Sequence, residues 1–173
     1  MENKQRIIVI STGGTIEKTY SELDGSLKNR EMVIKRNIIK RLRYPHCHFS
    51  LKAIMSKDSL EMLDDDRRIV CEEVENELAH KSPIIILHGT DTMDQTARLL
   101  FEKIKNTSRP IVMTGAMRPL GFVDSDASQN FIESVMAAQT LPPGIYLSFH
   151  GQVYEAPNFK KDRRRRTFVS SRS

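Results

Sequence analysis

Residues Gly89, Thr90, Asp91 and Thr92 place two hydroxyls and a carboxylate directly after an apolar segment and directly before a helical pattern. One side chain is enough to cap a helix, and Thr92 with Gln95 has the spacing of a capping box. Thr90 and Asp91 are surplus to capping and could face a polar substrate. A threonine hydroxyl can also act as a nucleophile when a base or its surroundings activate it. In this turn, a role in capping the helix is as well supported as a functional role only for Thr92.

Four other turns follow predicted strands, and glycines and hydroxyls dominate all but the last of them. They are TGGTIEKTY (12–20), SKDS (56–59), TGAMRP (114–119) and HGQVYE (150–155). In an open parallel sheet, ligands bind at the carboxyl ends of the strands, near a switch in strand order. The turns are therefore predicted to meet at one edge of a sheet. Asp58 with Glu61 has the spacing of a second capping box, so a purely structural role stays open for Asp58.

The elements that would position these turns alternate between strand and helix. Five apolar runs predict strands, at 6–12, 48–55, 83–89, 110–115 and 144–151. Helical spacing recurs between them, at 30–43, 59–80, 93–105 and 125–140. Because three of the runs are nearly continuously apolar, we expect a doubly wound, mostly parallel α/β sheet with helices on both faces, in a single domain. The polar segment 16–26 is long for a β–α connection and predicts a mobile lid.

Composition narrows the class of protein. The chain has 173 residues, of which 39% are hydrophobic, enough for one sizeable core. Most of the net charge of +5 comes from residues 160–166, KKDRRRR. Cys47 and Cys71 do not suggest a disulfide framework, which fits a reducing, cytoplasmic location. The N-terminal apolar run predicts a strand rather than a signal peptide, and no segment approaches the roughly 18 apolar residues of a membrane span.

The motifs TGGTI, HGTDTM and TGAMRP, in this order and at these separations, resemble the bacterial-type L-asparaginases and their relatives. SKD and SDASQN stand at fitting intervals, so the resemblance covers almost the whole chain. It implies an amidohydrolase that converts L-asparagine to L-aspartate and ammonia, with weak activity on L-glutamine. In the implied acyl-enzyme route a threonine attacks, backbone N–H groups hold the oxyanion, ammonia leaves, and water releases the acyl group.

Site residues are implied by carrying the family motifs onto this sequence. The implied catalytic residues are Thr15 as the nucleophile, Tyr20, Thr90, Asp91 and Lys161. The implied substrate contacts are Ser56, Gly89, Asp91 and Ala116. Asp91 would meet the α-ammonium of the substrate and Ser56 its α-carboxylate. Lys160, next to Lys161, leaves an ambiguity of one residue in the position of the catalytic lysine.

The lysine could supply the base if burial favours its neutral form more than the nearby carboxylate favours its charged form, and the sequence leaves this balance open. No histidine in these turns suits a Ser-His-Asp arrangement, and His88 is expected to be a strand-end histidine. No cofactor is predicted, because the TGG turn has neither the G-x-G-x-x-G spacing nor the G-K-[ST] ending of nucleotide loops. No His/Cys/Asp cluster has metal-ligand spacing, so no metal is predicted either.

Three features depart from the family pattern. Typical members carry a second domain that sends a carboxylate into a neighbouring subunit's site. Residues 1–173 are instead expected to form a short version with the N-terminal-type domain alone. This short form is expected to be a homo-oligomer. Lys57, beside Ser56, either strengthens carboxylate binding or points to solvent. The segment 160–173, which includes Arg163–Arg166, predicts a solvated or subunit-contacting strand with Lys161 turned inward. If the whole segment were disordered, Lys161 would not be a catalytic residue. Nucleic-acid binding is disfavoured, because the run lacks aromatic interleaving and a recognition helix.

Three hypotheses about function follow. The first is an L-asparaginase. The second keeps the amidase chemistry but supplies ammonia for amidating aminoacylated tRNA, and only the arginine run favours it. The third is a non-catalytic amino-acid-binding sensor that keeps the pocket without turnover. Replacing Thr15 distinguishes the third from the others, since a sensor would keep its response to the ligand.

Overall fold

The apolar runs form strands and the amphipathic segments form helices in the computed structural model, which describes residues 4–29 and 33–171. The strands are β1 Gln5–Gly13, β2 Lys18–Tyr20, β3 Leu27–Asn29, β4 Cys47–Lys57, β5 Ile84–Leu87, β6 Pro110–Thr114, β7 Gly144–Phe149, β8 Gln152–Glu155, β9 Phe159–Asp162 and β10 Thr167–Ser170. The α-helices are α1 Val33–Asn37, α2 Asp64–Leu78, α3 Met93–Lys103 and α4 Ala127–Thr140. None of the helices in these two ranges is long and apolar enough to cross a membrane.

The main sheet has the strand order β4-β1-β5-β6-β7-β8. Its first five strands run parallel and β8 pairs antiparallel with β7. The chain adds β4 on one side of β1 and β5 on the other, so the order of strands switches between β1 and β5. This confirms the predicted doubly wound, mostly parallel sheet, and it makes the carboxyl ends of β1 and β5 the expected position of a ligand site.

Alternate residues of β1 belong to two separate hydrophobic layers. Ile8 and Ile10 pack in a cluster that includes residues of α2 and α3. Ile7 and Val9 pack in a second cluster with residues of α1 and α4. Because successive side chains of a strand point to opposite faces, a strand buried on both sides reads as a continuous apolar run. Burying each isoleucine contributes about 1.5–3 kcal/mol.

Two predicted segments fold differently. The helix predicted at 30–43 is instead α1 followed by a 3₁₀ turn at Ile39–Arg41, and residues 30–32 lie outside the described ranges. Asn37 and the β-branched residues around it have weak helix propensity, so a long helix is not favoured there. The segment predicted as a lid, 16–26, contains β2 and the turn that leads into its antiparallel partner β3. Its mobility stays a prediction.

The basic segment forms an antiparallel hairpin of β9 and β10. The predicted strand character is correct for its flanks, whereas Arg163–Arg166 make the turn between the two strands. The carboxylate of Asp162 accepts hydrogen bonds from the backbone N–H groups of Arg164 and Arg165, at 2.9 and 3.0 Å, which closes this turn. Four like charges are thus held at the tip of a short hairpin, where solvent can reach them.

Candidate active site

Glycines let the turns after β1, β4 and β5 approach one another closely. A Cβ atom at Gly14, whose φ is 81°, would lie 2.5 Å from the backbone of Gly89. A Cβ atom at Gly13 would lie 2.6 Å from the backbone N of Lys57, and the Gly14 N–H donates to the Lys57 carbonyl at 2.9 Å. Thr15 follows directly and begins a 3₁₀ turn, Thr15–Glu17. Its half-buried side chain therefore starts beside the turn that carries Gly89.

Lys161 reaches the turn after β5 from the hairpin. Its Nζ donates to Thr90 Oγ1 at 2.7 Å and to Asp91 Oδ1 at 3.0 Å. Thr90 is 3% exposed, and the side chains of Lys161 and Asp91 are 16% and 22% exposed. The structure thus brings together three of the five predicted catalytic residues in one partly buried cluster.

The pleat of β9 decides which lysine points inward. Phe159 is buried and Lys161 lies two residues later on the same face, whereas Lys160 is exposed. Lys161 pairs in register with the buried Phe168 of β10. Tyr154 of β8 donates its hydroxyl to the Phe168 carbonyl at 2.8 Å, which ties the hairpin to the main sheet. The hairpin is therefore the element that positions the lysine.

Thr92 connects two turns rather than capping α3. Its Oγ1 donates to the Ser59 carbonyl at 2.8 Å, and it makes no capping bond with its own helix. The predicted capping box of Thr92 with Gln95 is wrong, because the neighbouring turn offers a buried carbonyl to the same hydroxyl. The Asp91 N–H donates to Ser59 Oγ at 3.2 Å, so the same two turns are joined twice.

Removing the Thr92 hydroxyl should therefore cost stability and not chemistry. The variant Thr92→Val removes this hydrogen bond and leaves the buried Ser59 carbonyl to the Met62 N–H, 3.3 Å away, which we expect to lower the free energy of unfolding by about 1 kcal/mol. Thr92→Ser keeps the donor and serves as the matched control. Urea unfolding of both variants measures the difference, and equal losses would exclude the hydrogen bond as the cause.

Asp58 caps the adjacent 3₁₀ turn, Ser59–Glu61, by accepting from the Leu60 N–H at 3.1 Å. It also forms an ion pair with Lys18. Burial by itself would raise the pKa of Asp58, but Lys18, the Leu60 N–H and Lys161 outweigh it and hold the pKa below its ordinary value. Capping, one of the two alternatives for Asp58, is present through the Leu60 N–H, and the ionised Asp58 carboxylate lies near Lys161.

His88 is a fully buried, neutral histidine that supports the turn. Its Nδ1 lies 2.7 Å from the Gly89 carbonyl and its Nε2 lies 2.8 Å from Thr96 Oγ1. Burial lowers its pKa to about 4. In the neutral ring Nδ1–H donates to Gly89 and Nε2 accepts from the Thr96 hydroxyl. His88 therefore has the structural role expected of a strand-end histidine.

This burial predicts a pH dependence of stability. Below the ordinary pKa of 6.5, the unfolded chain protonates His88, whereas the folded protein does so only near pH 4. Because the unfolded state then binds more protons, the free energy of unfolding falls as the pH falls from 6.5 to 4, by about 3 kcal/mol at most. Urea unfolding at several pH values checks this. His88→Gln should flatten the slope in this window, and an unchanged slope would contradict the assignment.

A family model described as "Asparaginase, N-terminal" matches residues 6–172, nearly the whole sequence. The chain belongs to the asparaginase family. The resemblance carried by the three turn motifs is thereby confirmed, and the matched turns are those that meet at the switch point.

Relatives of this asparaginase-family chain are longer proteins. A glutamyl-tRNA(Gln) amidotransferase subunit of Methanobrevibacter smithii is 30% identical over 155 residues, which are 89% of this chain and 35% of that protein. L-asparaginase 1 of Escherichia coli K12 is 28% identical over 157 residues, 87% of this chain and 46% of that one. The thermostable L-asparaginase of Thermococcus kodakarensis superposes with a TM-score of 0.86 at 26% identity, covering 96% of this chain and 51% of that structure. The chain spans about half the length of these relatives, or less.

The remaining residues implied by the asparaginase motifs differ in their exposure to solvent. Ser56 is exposed near the end of β4, Ala116 is fully buried after β6, and Gly89 is buried against Ser59. Tyr20 is 63% exposed on the β2–β3 hairpin, and its hydroxyl makes no hydrogen bond to the described residues. Tyr20 is thus the implied catalytic residue that the fold leaves on the surface.

Lys57 has a partner that neither of the two expectations named. Its Nζ pairs with Asp66 Oδ1 at 2.7 Å, in the first turn of α2. The hydrogen bond from Lys57 lowers the pKa of the Asp66 carboxyl. A partner 9 residues further along the chain was not apparent from spacing, because it depends on how α2 packs against the end of β4.

A polar network around Asp126 was missed by sequence reasoning. Its carboxylate accepts from the Met117 N–H at 2.9 Å and lies 2.8 Å from His150 Nε2, while His150 Nδ1 lies 3.0 Å from Thr167 Oγ1. Burial would raise the pKa of Asp126, but the N–H groups of Met117 and Arg118 and the His150 ring hold it below its ordinary value. The network joins the TGAMRP turn to β10. Its members lie in the motifs TGAMRP, SDASQN and HGQVYE, but their order along the chain did not show that they meet.

Proposed function

We propose that this asparaginase-family protein is an amidohydrolase that converts L-asparagine to L-aspartate and ammonia. One observation carries the proposal: Lys161 Nζ lies within hydrogen-bonding distance of both Thr90 Oγ1 and Asp91 Oδ1. The cluster stands where the strand order switches, beside a glycine-rich turn that ends in Thr15. A lysine, two threonines and a carboxylate supply a nucleophile, a proton relay and a cation-binding group in one small volume.

In the proposed mechanism Thr15 Oγ attacks the side-chain carbonyl carbon of the substrate. The proton of its hydroxyl passes to Lys161 in its neutral form, with the Thr90 hydroxyl as the relay. Backbone N–H groups of the glycine-rich turns hold the oxyanion of the tetrahedral intermediate. The proton returns to the departing nitrogen, so ammonia leaves and an ester on Thr15 remains. Water then attacks the ester, passes one proton back to Thr15 and releases aspartate.

Binding of the substrate uses the polar groups around the cluster. Asp91 accepts the α-ammonium, and Ser56 donates to the α-carboxylate. Gly89 and Ala116 bring backbone close to the substrate without side-chain bulk. Tyr20 joins them when the β2–β3 hairpin closes over the site, because in the open arrangement its side chain is solvent-exposed.

The proposed setting is a homo-oligomer in the cytoplasm. Cys47 and Cys71 are both free thiols, and a reducing compartment would keep them so. Burial raises the pKa of the Cys71 thiol to about 11, so this cysteine stays protonated and inert.

The direct test is ammonia release from L-asparagine and L-glutamine by the purified protein. We expect release from L-asparagine, with L-glutamine slower. If neither amide releases ammonia but L-asparagine raises the melting temperature, the hydrolase hypothesis is wrong and the amino-acid sensor is favoured.

A second candidate is supply of ammonia for amidating aminoacylated tRNA. It is favoured by the 30% identity to a protein described as a subunit of glutamyl-tRNA(Gln) amidotransferase. In that case ammonia release from the free amino acid should be slow in the isolated protein and should rise when the charged tRNA and its amidating partner are added.

A further inference from the structure

Arg163 contacts the same carboxylate oxygen as Lys161. Its guanidinium lies 3.1 Å from Asp91 Oδ1, and Lys161 Nζ lies 3.0 Å from that atom. The two side chains are two residues apart in the β9–β10 hairpin, and both contact Asp91. The backbone bonds that Asp162 accepts hold the first residues of the turn, so Arg163 is presented to Asp91 by ordered backbone.

Other cations near the cluster are already neutralised by their own partners. Lys18 pairs with Asp58, and Lys57 pairs with Asp66. The side chains that contact the Asp91 carboxylate are Lys161 and Arg163, and Arg163 is the one that the proposed mechanism leaves permanently charged. A cationic group entering this site meets a carboxylate that is shared and a guanidinium that repels it.

We propose that Arg163 is a specificity-determining residue that competes with a free α-ammonium group for Asp91. It thereby shifts the preference of the site towards side-chain amides whose α-amino group is acylated or absent. This inference rests on the proposed function in one respect, namely that Asp91 is the group that receives the α-ammonium.

The size of the effect follows from exposure. The Arg163 side chain is 71% exposed, so its ion pair with Asp91 is screened by water. Exposed ion pairs of this kind change an equilibrium by up to about fivefold. Arg163 therefore biases the choice of substrate and does not block the site.

The experiment compares L-asparagine with succinamate, which is asparagine without its α-amino group. In Arg163→Ala we expect KM for L-asparagine to fall about two- to fivefold with kcat within about twofold of wild type, while KM for succinamate stays unchanged. Arg163→Lys keeps a cation and should stay close to wild type. Arg164→Ala is the matched control, since Arg164 lies in the same turn and makes no ion pair within residues 4–29 and 33–171.

The inference would be overturned if Arg163→Ala changed KM for L-asparagine and succinamate in parallel, or if Arg164→Ala changed KM for L-asparagine as Arg163→Ala does. A second measurement separates the inference about Arg163 from the proposed function. Calorimetry gives the affinities of L-asparagine and succinamate for the same variants in a Thr15→Ala background. If no amide is hydrolysed but Arg163→Ala still tightens binding of L-asparagine alone, the hydrolase is wrong and the role of Arg163 stands. If neither compound binds to any variant, both are wrong.

Discussion

Thr15→Ala is expected to release ammonia from L-asparagine at least about a thousandfold more slowly than the wild type, because no covalent ester can form without the hydroxyl. The residue follows Gly14, whose close contact with Gly89 brings the start of this turn beside Thr90. The Thr15 side chain makes no hydrogen bond to the described residues, so the melting temperature should change little. Thr15→Ser keeps a hydroxyl and should retain part of the activity. Steady-state ammonia release and thermal unfolding check the two halves of this prediction.

Thr12 provides the matched control within the same motif. Its Oγ1 donates to the Leu87 carbonyl at 3.0 Å and its side chain is fully buried. Thr12→Val should therefore lose about 1–2 kcal/mol of stability and keep its turnover at temperatures where it is folded. A folded Thr15→Ala variant with more than about a tenth of the wild-type rate would exclude Thr15 as the nucleophile, since such losses are normally orders of magnitude larger.

Lys161→Met is expected to lower kcat by about a hundred- to ten-thousandfold, which is the usual contribution of a positioned general base. Methionine has a similar length but cannot accept or donate the proton that passes through Thr90. Lys160→Met removes an exposed charge from the opposite face of β9 and should stay within about twofold of wild type. The comparison is made on kcat for L-asparagine. Equal losses in the two variants would mean that the hairpin, and not this side chain, is what the reaction needs.

Lys161→Arg separates charge from proton transfer. The guanidinium keeps the positive charge beside Asp91 but does not lose a proton in proteins. If Lys161 acts as the base, this variant should be nearly as slow as Lys161→Met. An active Lys161→Arg variant would instead show that the residue works through its charge.

Much of the fold followed from local pattern alone. The five parallel strands and helices α2, α3 and α4 lie where apolar runs and helical spacing predicted them. Continuous apolar runs predict strands that are buried on both faces, so the parallel sheet was readable before its order was known. Around Asn37 helical spacing predicted a longer helix than the structure has, because Asn37 and the β-branched residues near it have low helix propensity.

The turns that carry polar chemistry, and their place at the carboxyl ends of parallel strands, were readable from the order of residues along the chain. Which side chains meet there depended on the folded arrangement: Lys161 rather than Lys160 contacts Thr90, Thr92 bonds to Ser59 instead of capping α3, and Arg163 reaches Asp91. The physical reason is sequence separation. Helix and strand periods are set by neighbours along the chain, whereas a contact across 70 residues depends on the pleat of β9 and the packing of its hairpin against the sheet.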